Sequence, residues 1–349
     1  MSARASDFRS DTVTRPSPAM LQAMTRAELG DDVLDGDPTV GELERAAAEW
    51  LGKEGALYVP SGTMANQLAI GAWTRPGDEF VAERSAHVVQ WEAGAAAALH
   101  GVQAQTLVAP DGRLAPADVE RALRMDSIHC PRTVLVCVEQ TFMGDGDGPG
   151  GRVVPLAHLE RVAALARAHG LRVHMDGARL PNAAVAAGVP AARFAACADS
   201  VMFSLSKGLG APVGALLAGP ADFLGRARVL RKRFGGWMRQ AGVIAAAGLY
   251  GLRHNLARLA EDHALARAVA ETCARHEGLL AWPGAVESNI VMVRVERPGW
   301  TPERLTEALA AHGVRTMPMS ATAVRFVTHL DVGPPDVERL AKALAAVLG

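Results

Sequence analysis

Two short segments of the sequence carry residues that could together hold an aldehyde cofactor. Lys207 lies in the small, glycine-rich turn SLSKGLG (residues 204–210), and Asp176 directly follows the apolar run at residues 171–175. An amine can form a Schiff base with an aldehyde, and a carboxylate can pair with a protonated pyridine nitrogen; proteins anchor pyridoxal phosphate (PLP) as an electron sink in this way. A lysine taken alone is most often a solvated surface residue. The combination with Asp176 instead indicates a PLP site.

Three further places in the sequence could complete such a site. Ser61, Gly62 and Thr63 follow a short predicted strand and open a helix, so free backbone N–H groups at the positive helix end could bind a phosphate. Ser204 could donate its hydroxyl to the same phosphate, and His87 could lie face to face with an aromatic ring. Taken singly, each has an ordinary structural explanation, as a helix N-cap, a turn serine or a partly buried histidine.

Three other motif matches are incomplete. His174 lies on the same strand face as Asp176, but no further ligand has the spacing of a metal site, so no metal is predicted. The glycines of residues 146–151 match a dinucleotide fingerprint in form but do not directly follow a strand. Asp145 and Asp147 resemble the start of a calcium loop whose later ligands are missing. Residues 144–151 are therefore predicted to form a flexible loop near the mouth of the active site.

The composition is that of a globular protein without a nucleic-acid or membrane partner. The chain has 349 residues, a formal net charge of -1 and 49% hydrophobic residues, which suits one large domain or two moderate ones. A basic excess that would bind nucleic acid is missing. The charged N-terminus does not resemble a signal peptide, no apolar run is long enough to span a bilayer, and the four cysteines show no CxxC spacing. These features favour a cytoplasmic protein, with three of the cysteines as buried free thiols.

The elements that would position the site alternate between helices and short apolar strands. Residues 39–51 and 156–169 have helical periodicity. A further helix is predicted at residues 64–73, and Ser61, Gly62 and Thr63 open it. Strands are predicted at residues 56–60, 80–82, 106–108, 133–138, 171–175, 200–204 and 214–218. This alternation is typical of βαβ units around a mainly parallel sheet, whose strands are apolar throughout because both faces are covered.

The pattern changes in the last third of the chain. Residues 241–275 are predicted to form one long helical stretch, and residues 290–295 and 324–327 are predicted strands around a helix at 301–312. The sequence thus predicts an α/β protein with three parts. These are an N-terminal arm (residues 1–16), a PLP-binding large domain (17–245) and a small α/β C-terminal domain (246–349).

Nearly the whole chain resembles the L-threonine aldolases of the low-specificity type, PLP-dependent enzymes of fold type I in the β-eliminating lyase family. The matching segments are residues 8–16 (FRSDTVTRP), 30–33, 36–40, 60–66 (PSGTMAN), 174–179 (HMDGAR), 205–210, 212–214, 238–240 and 325–331 (RFVTHLD). So many ordered matches are far more specific than any one of them. The resemblance implies a large domain on a mainly parallel seven-stranded sheet, and a homotetramer, built as a dimer of dimers, whose sites are shared between chains.

The resemblance also implies a role for each cofactor-binding residue. Lys207 would carry the Schiff base, Asp176 would face the pyridine nitrogen and His87 would stack on the ring. Arg239 would reach the phosphate from a neighbouring subunit. The other residues expected around the phosphate are Ser61, Gly62, Thr63 and Ser204.

The implied substrate site combines carboxylate-binding residues with two departures from the family pattern. Arg179 would lie beside the cofactor and the substrate carboxylate, which Ser10 and Arg325 would clamp, because arginine binds a carboxylate through two parallel hydrogen bonds. Phe142 replaces a histidine that is expected to contact the substrate hydroxyl, and Leu34 replaces a usual tyrosine. Both changes make the pocket more apolar, which favours phenylserine over threonine. They leave His87, a water molecule or the cofactor phosphate to take the hydroxyl proton.

Three functions stay open at the level of sequence. The first is an aldolase, an aldehyde-lyase that cleaves β-hydroxy-α-amino acids such as L-threonine, L-allo-threonine or phenylserine to glycine and an aldehyde. The second keeps PLP but changes the reaction on the amino acid to β-elimination, racemisation or a transaldolase-type exchange. The third is a cofactor-binding protein with little catalysis, or a nucleotide-dependent oxidoreductase built on the weak glycine match.

Overall fold

The strands alternate with helices along most of the chain. The computed structural model describes residues 5–144, 146 and 148–349, so Asp145 and Asp147 of the incomplete calcium motif lie outside the described residues. The strands are β1 (Ser6–Asp7), β2 (Gly55–Val59), β3 (Asp78–Glu83), β4 (Gln103–Leu107), β5 (Arg132–Glu139), β6 (Arg172–Asp176), β7 (Ser200–Ser204), β8 (Ala215–Gly219), β9 (Leu279–Leu280), β10 (Ile290–Val295), β11 (Val314–Arg315), β12 (Met317–Pro318) and β13 (Ala323–Val327).

The helices have the lengths and end signals of ordinary globular helices. In the second of them Asp37 accepts hydrogen bonds from the N–H groups of Thr39 and Val40, and Gly52 ends the helix with a φ of 60° that suits glycine. The helices are α1 (Pro18–Thr25), α2 (Pro38–Leu51), α3 (Gly62–Trp73), α4 (His87–Gln90), α5 (Ala95–His100), α6 (Pro116–Ala122), α7 (Leu156–Ala168), α8 (Leu180–Ala187), α9 (Ala191–Ala195), α10 (Ala221–Arg233), α11 (Gly242–His254), α12 (Leu259–Ala274), α13 (Pro302–Ala311) and α14 (Pro334–Leu348).

A seven-stranded sheet supports most of the molecule. Its strand order is β2-β8-β7-β6-β5-β3-β4, and β8 runs antiparallel to both of its neighbours while the other pairs are parallel. Strands β6, β7 and β8 consist almost entirely of buried residues, as expected for a sheet covered on both faces. The predicted α/β class and the mainly parallel seven-stranded sheet are therefore confirmed.

A second, four-stranded sheet lies in the C-terminal part. Its order is β12-β13-β10-β9, all antiparallel, and helices α12, α13 and α14 pack around it. The N-terminal segment joins this unit, because β1 pairs in parallel with β11 and the ring of Phe8 is buried in the same hydrophobic cluster. The proposed domain limits at residues 16 and 245 stay predictions.

The predicted helical stretch at residues 241–275 is wrong in one respect, because it is two helices. α11 packs against α1 and α2, whereas α12 packs against α14 and β10. Between them the Asn255 side chain donates a hydrogen bond to the carbonyl oxygen of Leu209 at 2.8 Å. The break lets the chain pass from one packing partner to the next, a tertiary requirement that helical periodicity does not record.

Three of the four cysteines are buried free thiols, as predicted: Cys137, Cys197 and Cys273. Cys130 is also free and is only partly buried. Over the described part of the chain, the helices include none with the length and apolar character needed to cross a membrane.

Candidate active site

A cavity of about 200 Å³ lies where three parallel strands of the large sheet end. Glu139 ends β5, Asp176 ends β6 and Ser204 ends β7, so the three side chains meet at one edge of the sheet, the usual ligand position in α/β proteins. The cavity walls include most of the residues that the sequence predicted for the cofactor: Ser61, Gly62, Thr63, His87, Asp176, Arg179, Ser204 and Lys207.

A second cavity of about 300 Å³ adjoins the first. His87, Arg179 and Lys207 line both cavities, whereas Ser10 and Arg325 line only the second. The predicted carboxylate clamp therefore lies beside the predicted cofactor position. The remaining wall of the second cavity is largely apolar and consists of Trp91, Met143, Met317 and Met319, together with Thr12.

The first turn of α3 presents backbone N–H groups to the first cavity. Ser61 caps the helix by accepting a hydrogen bond from the N–H of Met64 at 3.1 Å. Gly62 makes room, because a β-carbon built at this residue would lie 2.8 Å from Cε of Met202 and 3.3 Å from Oγ of Ser204. The N–H groups of the first turn and the positive helix end therefore suit an anion.

Lys207 has an unusually weakly basic amine. Burial and the nearby guanidinium of Arg179 lower its pKa from 10.5 to about 8, although Asp11, Asp176 and Glu139 oppose the shift. Burial and a neighbouring cation both disfavour the charged ammonium form. About one-tenth of the amine is therefore neutral, and so nucleophilic, at pH 7.

Asp176 is buried and held by two donors. Its Oδ2 accepts a hydrogen bond from Nδ2 of Asn66 at 2.7 Å, and its Oδ1 accepts one from the N–H of Ala178 at 3.1 Å. On the neighbouring strand Glu139 is the register partner of Asp176. Burial and the charge of Asp176 raise the pKa of Glu139 to about 7, against two backbone N–H donors. Sequence reasoning missed both Asn66 and Glu139, although Asn66 lies in the matched segment 60–66.

His87 is hydrogen bonded to a buried carboxylate. Its Nδ1 lies 2.9 Å from Oε1 of Glu92, which also accepts a hydrogen bond from Asn66 at 2.8 Å. Burial lowers the pKa of His87, but the hydrogen bond to Glu92 and the charges of Asp176, Glu92 and Glu139 outweigh it, so that the pKa is raised. Glu92 was not predicted from the sequence.

His87, Glu92 and Asp176 are residue types that could together bind a metal ion. One ligand atom each of His87, Glu92 and Asp176 lies within 4.8 Å of the others. Asn66 donates to both carboxylates, however, and His87 directs Nδ1 at Glu92. These donors account for the close approach of the three side chains without an ion.

Arg179 is fixed by the N-terminal segment. Its Nε and Nη2 donate to the two oxygens of Asp11 at 2.8 and 2.7 Å, and Nδ2 of Asn289 donates to the same carboxylate at 3.1 Å. Burial raises the pKa of Asp11, but Arg179, Lys207 and Asn289 reverse this and hold it well below its usual range. Asp11 is thus another site residue that the sequence did not single out, although it lies within the matched segment 8–16.

Arg325 is anchored by its surroundings. Its Nη2 donates to the carbonyl oxygen of Arg9 at 3.0 Å, and its Nη1 lies 3.2 Å from Sδ of Met143. Its Nε is buried and has no hydrogen-bond partner in the described part of the chain. Burial and the charge of Arg179 lower its pKa to about 10. An incoming carboxylate would offer this guanidinium an anionic hydrogen-bond partner.

Three predicted residues are not brought to these cavities. Phe142 is 1% exposed, its backbone pairs with Arg152, and its ring packs so closely on Gly112 that a β-carbon there would lie 2.5 Å away. Phe142 therefore belongs to the hydrophobic core and not to the substrate wall, which corrects its placement. Leu34 is 74% exposed and Arg239 is exposed with an ion pair to Asp31, so their roles would need another subunit and stay predictions.

The residues present fit the cofactor that the resemblance implies. The hydroxyl oxygen of Thr141 is buried in the cavity wall without a hydrogen-bond partner among the described residues, so it is free to bond a polar group of a ligand bound there. The helix end at Gly62 suits a phosphate, Lys207 suits an aldehyde, and Asp176 suits a protonated ring nitrogen. These groups surround a single cavity.

Comparisons with known proteins agree with this geometry. A family model described as beta-eliminating lyase matches residues 7–297. "Probable low-specificity L-threonine aldolase 2" of Arabidopsis thaliana is 42% identical over 340 residues, which cover 96% of this chain and 95% of that protein. The low specificity L-threonine aldolase of Escherichia coli (strain K12) is 41% identical over 343 residues, covering 98% and 99%. The structure of a Leishmania major threonine aldolase superposes with a TM-score of 0.80 at 23% identity, covering 99% of this chain and 100% of that one.

Proposed function

The chain belongs to the β-eliminating lyase family, and from this premise we propose that it is a PLP-dependent aldolase. It cleaves the Cα–Cβ bond of β-hydroxy-α-amino acids to give glycine and an aldehyde. The observation that carries the proposal is the placement of Lys207 and Asp176 in one cavity, with Arg325 and Ser10 in the adjoining cavity. One cavity takes the cofactor, and the other takes the carboxylate end of an amino acid.

The residues that would hold PLP each have one task. Lys207 would bind its aldehyde carbon, Asp176 would accept the hydrogen bond of its ring nitrogen, and the first turn of α3 would bind its phosphate. When bound, PLP supplies the electron sink for the electron pair of the broken bond. His87, which lines both cavities, would lie against the ring.

The remaining chemistry concerns the orientation of the substrate. Arg325 and Ser10 would fix the carboxylate and the amine would lie towards Lys207, so only rotation about bonds at Cα would be left. Holding the Cα–Cβ bond in the reactive orientation uses binding energy to raise the rate, and good orientation of reacting groups can lower a barrier by up to about 7–11 kcal/mol. The ion pair between Asp11 and Arg179 keeps the clamp side of the site rigid.

The apolar wall of the second cavity predicts which β-substituents are accepted. Trp91, Met143, Met317 and Met319 stand where a side chain beyond Cβ would extend. Trp91 is 54% exposed, so an aromatic substituent would cover surface that a methyl group leaves open. At about 25 cal/mol for each Å² of apolar surface, this favours phenylserine over threonine in kcat/KM. Trp91→Ala should reduce the ratio of kcat/KM for phenylserine to kcat/KM for threonine. An unchanged ratio would show that Trp91 does not contact the β-substituent.

We also propose a homotetramer, a dimer of dimers, with sites shared between chains, and a cytoplasmic location. Leu34 and Arg239 support shared sites, because both are exposed in the single chain, although the resemblance implies that Arg239 reaches the cofactor phosphate and that Leu34 stands at a substrate-pocket position. The free cysteines suit a reducing compartment.

Glycine release tests the reaction directly. The purified protein is loaded with PLP and given L-threonine, L-allo-threonine, phenylserine and L-serine, and glycine and aldehyde are quantified. Equal amounts of glycine and aldehyde from the β-hydroxy amino acids support the proposal. Release of ammonia and a keto acid, or racemised substrate without glycine, would establish the other PLP reactions instead.

Cofactor attachment is tested separately with two lysine variants. Lys207→Ala should lose the visible absorption that borohydride abolishes, and with it turnover, because no other lysine lines the cavity in the described residues. Lys342→Ala, an exposed position on α14, is the matched control and should behave like the unmodified protein. A Lys207→Ala protein with full reducible absorption would contradict the assignment.

A further inference from the structure

Glu92 is a buried residue next to the candidate active site. Three side chains form hydrogen bonds with its carboxylate. It is 3% exposed, and its Oε1 accepts from Asn66 and lies 2.9 Å from Nδ1 of His87. Its Oε2 accepts from Nε2 of Gln67 at 2.6 Å. Glu92 lines neither cavity described above, so it touches the reacting groups only through His87 and Asn66.

The direction of these hydrogen bonds determines the tautomer of His87. An ionised carboxylate can only accept hydrogen bonds, so the proton of the neutral imidazole lies on Nδ1, and Nε2 is left with a free lone pair. Nε2 has no hydrogen-bond partner among the described residues. The ring belongs to the wall between the cofactor cavity and the substrate cavity. A basic nitrogen is therefore available where the two cavities meet.

Few other groups at this boundary can accept a proton. The residues that line both cavities are Thr12, His87, Met143, Arg179 and Lys207. The Thr12 hydroxyl donates to Ser10, methionine is not a base, and arginine stays charged. Lys207 is committed to the cofactor under the proposed function. The histidine that the family resemblance leads one to expect at residue 142 is here a phenylalanine buried in the core.

We propose that Glu92 is a positioning residue that makes His87 the base for the substrate hydroxyl. The inference rests on the proposed aldolase function. The O–H proton moves to Nε2 of His87, the O–H electron pair becomes the second C–O bond of the aldehyde, and the Cα–Cβ electron pair stays with the glycine fragment. Overall the hydroxyl proton replaces Cβ on Cα, so no oxidant or reductant is consumed. Asn66 ties the pair to Asp176 by donating to both carboxylates.

The charges that face His87 act in the same direction. Glu92 follows α4, Glu139 ends β5 and Asp176 ends β6, and all three raise the pKa of His87. Arg179 and Lys207 are the cations on the same cavity wall. Because Glu92 supplies both a hydrogen bond and a charge, its removal should have a larger effect on His87 than the removal of a more distant carboxylate.

The decisive experiment measures His87 itself, before PLP is added. Carbethoxylation by diethyl pyrocarbonate attacks the unprotonated imidazole, and peptide mass spectrometry follows His87 as a function of pH. The unmodified protein should show a midpoint above 6.5. Glu92→Gln should lower the midpoint by at least about one pH unit, a tenfold change in acid dissociation. Glu92→Asp, which keeps the charge, should lie between the two.

Steady-state kinetics of the PLP-loaded enzyme supply the second readout. Glu92→Gln should reduce kcat about tenfold or more and move the acid limb of the kcat profile to lower pH, while KM stays within about threefold. Glu79→Gln is the matched control, because Glu79 is a buried carboxylate on β3 that bonds Gln103, Arg124 and Thr133 away from the site. In Glu79→Gln, the pH midpoint of His87 carbethoxylation should equal that of the unmodified protein.

The two proposals fail differently. A His87 midpoint that is the same in the unmodified protein, Glu92→Gln and Glu92→Asp overturns the role of Glu92, even if glycine is released. A shifted midpoint without any glycine release from the unmodified enzyme overturns the proposed function and the base role that depends on it. Should Glu92→Gln not fold, Glu92→Asp alone decides, since a shorter carboxylate that leaves both the midpoint and kcat unchanged also contradicts the proposal.

Discussion

The chemistry of Lys207 depends on what surrounds the amine. Burial and Arg179 bring its pKa to about 8, whereas Asp11, Asp176 and Glu139 limit the shift. The environment thus keeps the amine nucleophilic without leaving a cation unpaired in the interior. The same residue type at Lys342 lies exposed on the surface of α14.

A pH titration of Lys207 reactivity tests this account. In the PLP-free protein the neutral fraction of the amine is about one-tenth at pH 7, so its reaction rate with an acylating reagent should rise about tenfold per pH unit and level off above about 8. The folded state releases this proton before the unfolded chain does. Lys207 therefore adds to the free energy of unfolding as the pH rises from about 8 to 10.5. A plateau reached only near 10.5 would contradict the assigned surroundings.

Arg325 gives a test that is independent of the cofactor. Arg325→Ala removes a charge-assisted contact to the substrate carboxylate, so KM should rise about tenfold or more while the PLP absorption stays unchanged. Arg294→Ala, on the adjoining strand β10 and paired with Glu296 at the surface, is the control. Loss of bound PLP in Arg325→Ala would place this guanidinium at the phosphate instead.

At the level of elements, the N-terminal segment connects two units of the molecule to the site. β1 pairs with β11, the carbonyl oxygen of Phe8 accepts from the N–H of Val327, and Asp11 binds Arg179 and Asn289. The segment therefore reaches the C-terminal sheet and the start of α8 together. The clamp residues Ser10 and Arg325 owe their positions to this connection.

Asp11→Asn should lower the free energy of unfolding more than the loss of any surface ion pair does. Removing one partner of a buried ion pair typically costs about 3–5 kcal/mol, because Arg179 keeps an uncompensated charge. Since the pKa of Asp11 is lowered on folding, its contribution is present above the unfolded pKa of 3.8 and is lost as the pH falls below that value. Thermal unfolding at pH 7 measures the effect. Asp7→Asn, at a partly exposed pair with Arg9, is the control, and an equal loss in both would contradict the prediction.

At the level of the whole molecule, a single chain leaves part of the expected site unused. Leu34 projects into solvent and Arg239 pairs with Asp31 on the surface. Ser61 and Thr63, at the phosphate-binding helix end, are exposed as well. The exposed helix end at Ser61 and Thr63 could therefore contact Leu34 and Arg239 of a second copy of the chain.

Mixing two inactive variants tests whether sites are shared. Lys207→Ala lacks the cofactor amine, and Arg239→Ala lacks the arginine expected to act on the neighbouring site. After dissociation and reassociation of an equal mixture, hybrid dimers contain one complete site, so activity should recover to about a quarter of that of the unmodified protein. Reassociation of either variant alone should restore nothing. Absence of recovery in the mixture, with hybrids detected by mass spectrometry, would show that Arg239 acts within its own chain.

Local patterns determined much of the fold. The βαβ alternation predicted each strand of the seven-stranded sheet to within a few residues, because buried parallel strands need continuous apolar runs between polar turns. The C-terminal strands β10 and β13 were predicted on the same basis. The break between α11 and α12 was not, since Asn255 turns the chain through a contact with Leu209, a residue distant in sequence.

For the site, the sequence by itself determined which residue types could bind a PLP-like cofactor, because Lys207 lies in a glycine-rich turn, Asp176 ends an apolar strand, and the matched segments occur in order. Only the tertiary structure decided which side chains support them. Asp11 meets Arg179 and Glu139 meets Asp176 between elements that are distant in sequence. Glu92 meets His87 just beyond the end of α4, and Phe142 turns into the core beside Gly112. Burial and partner charge, which set the pKa of each group, are properties of the packed chain and leave no fixed spacing in the sequence.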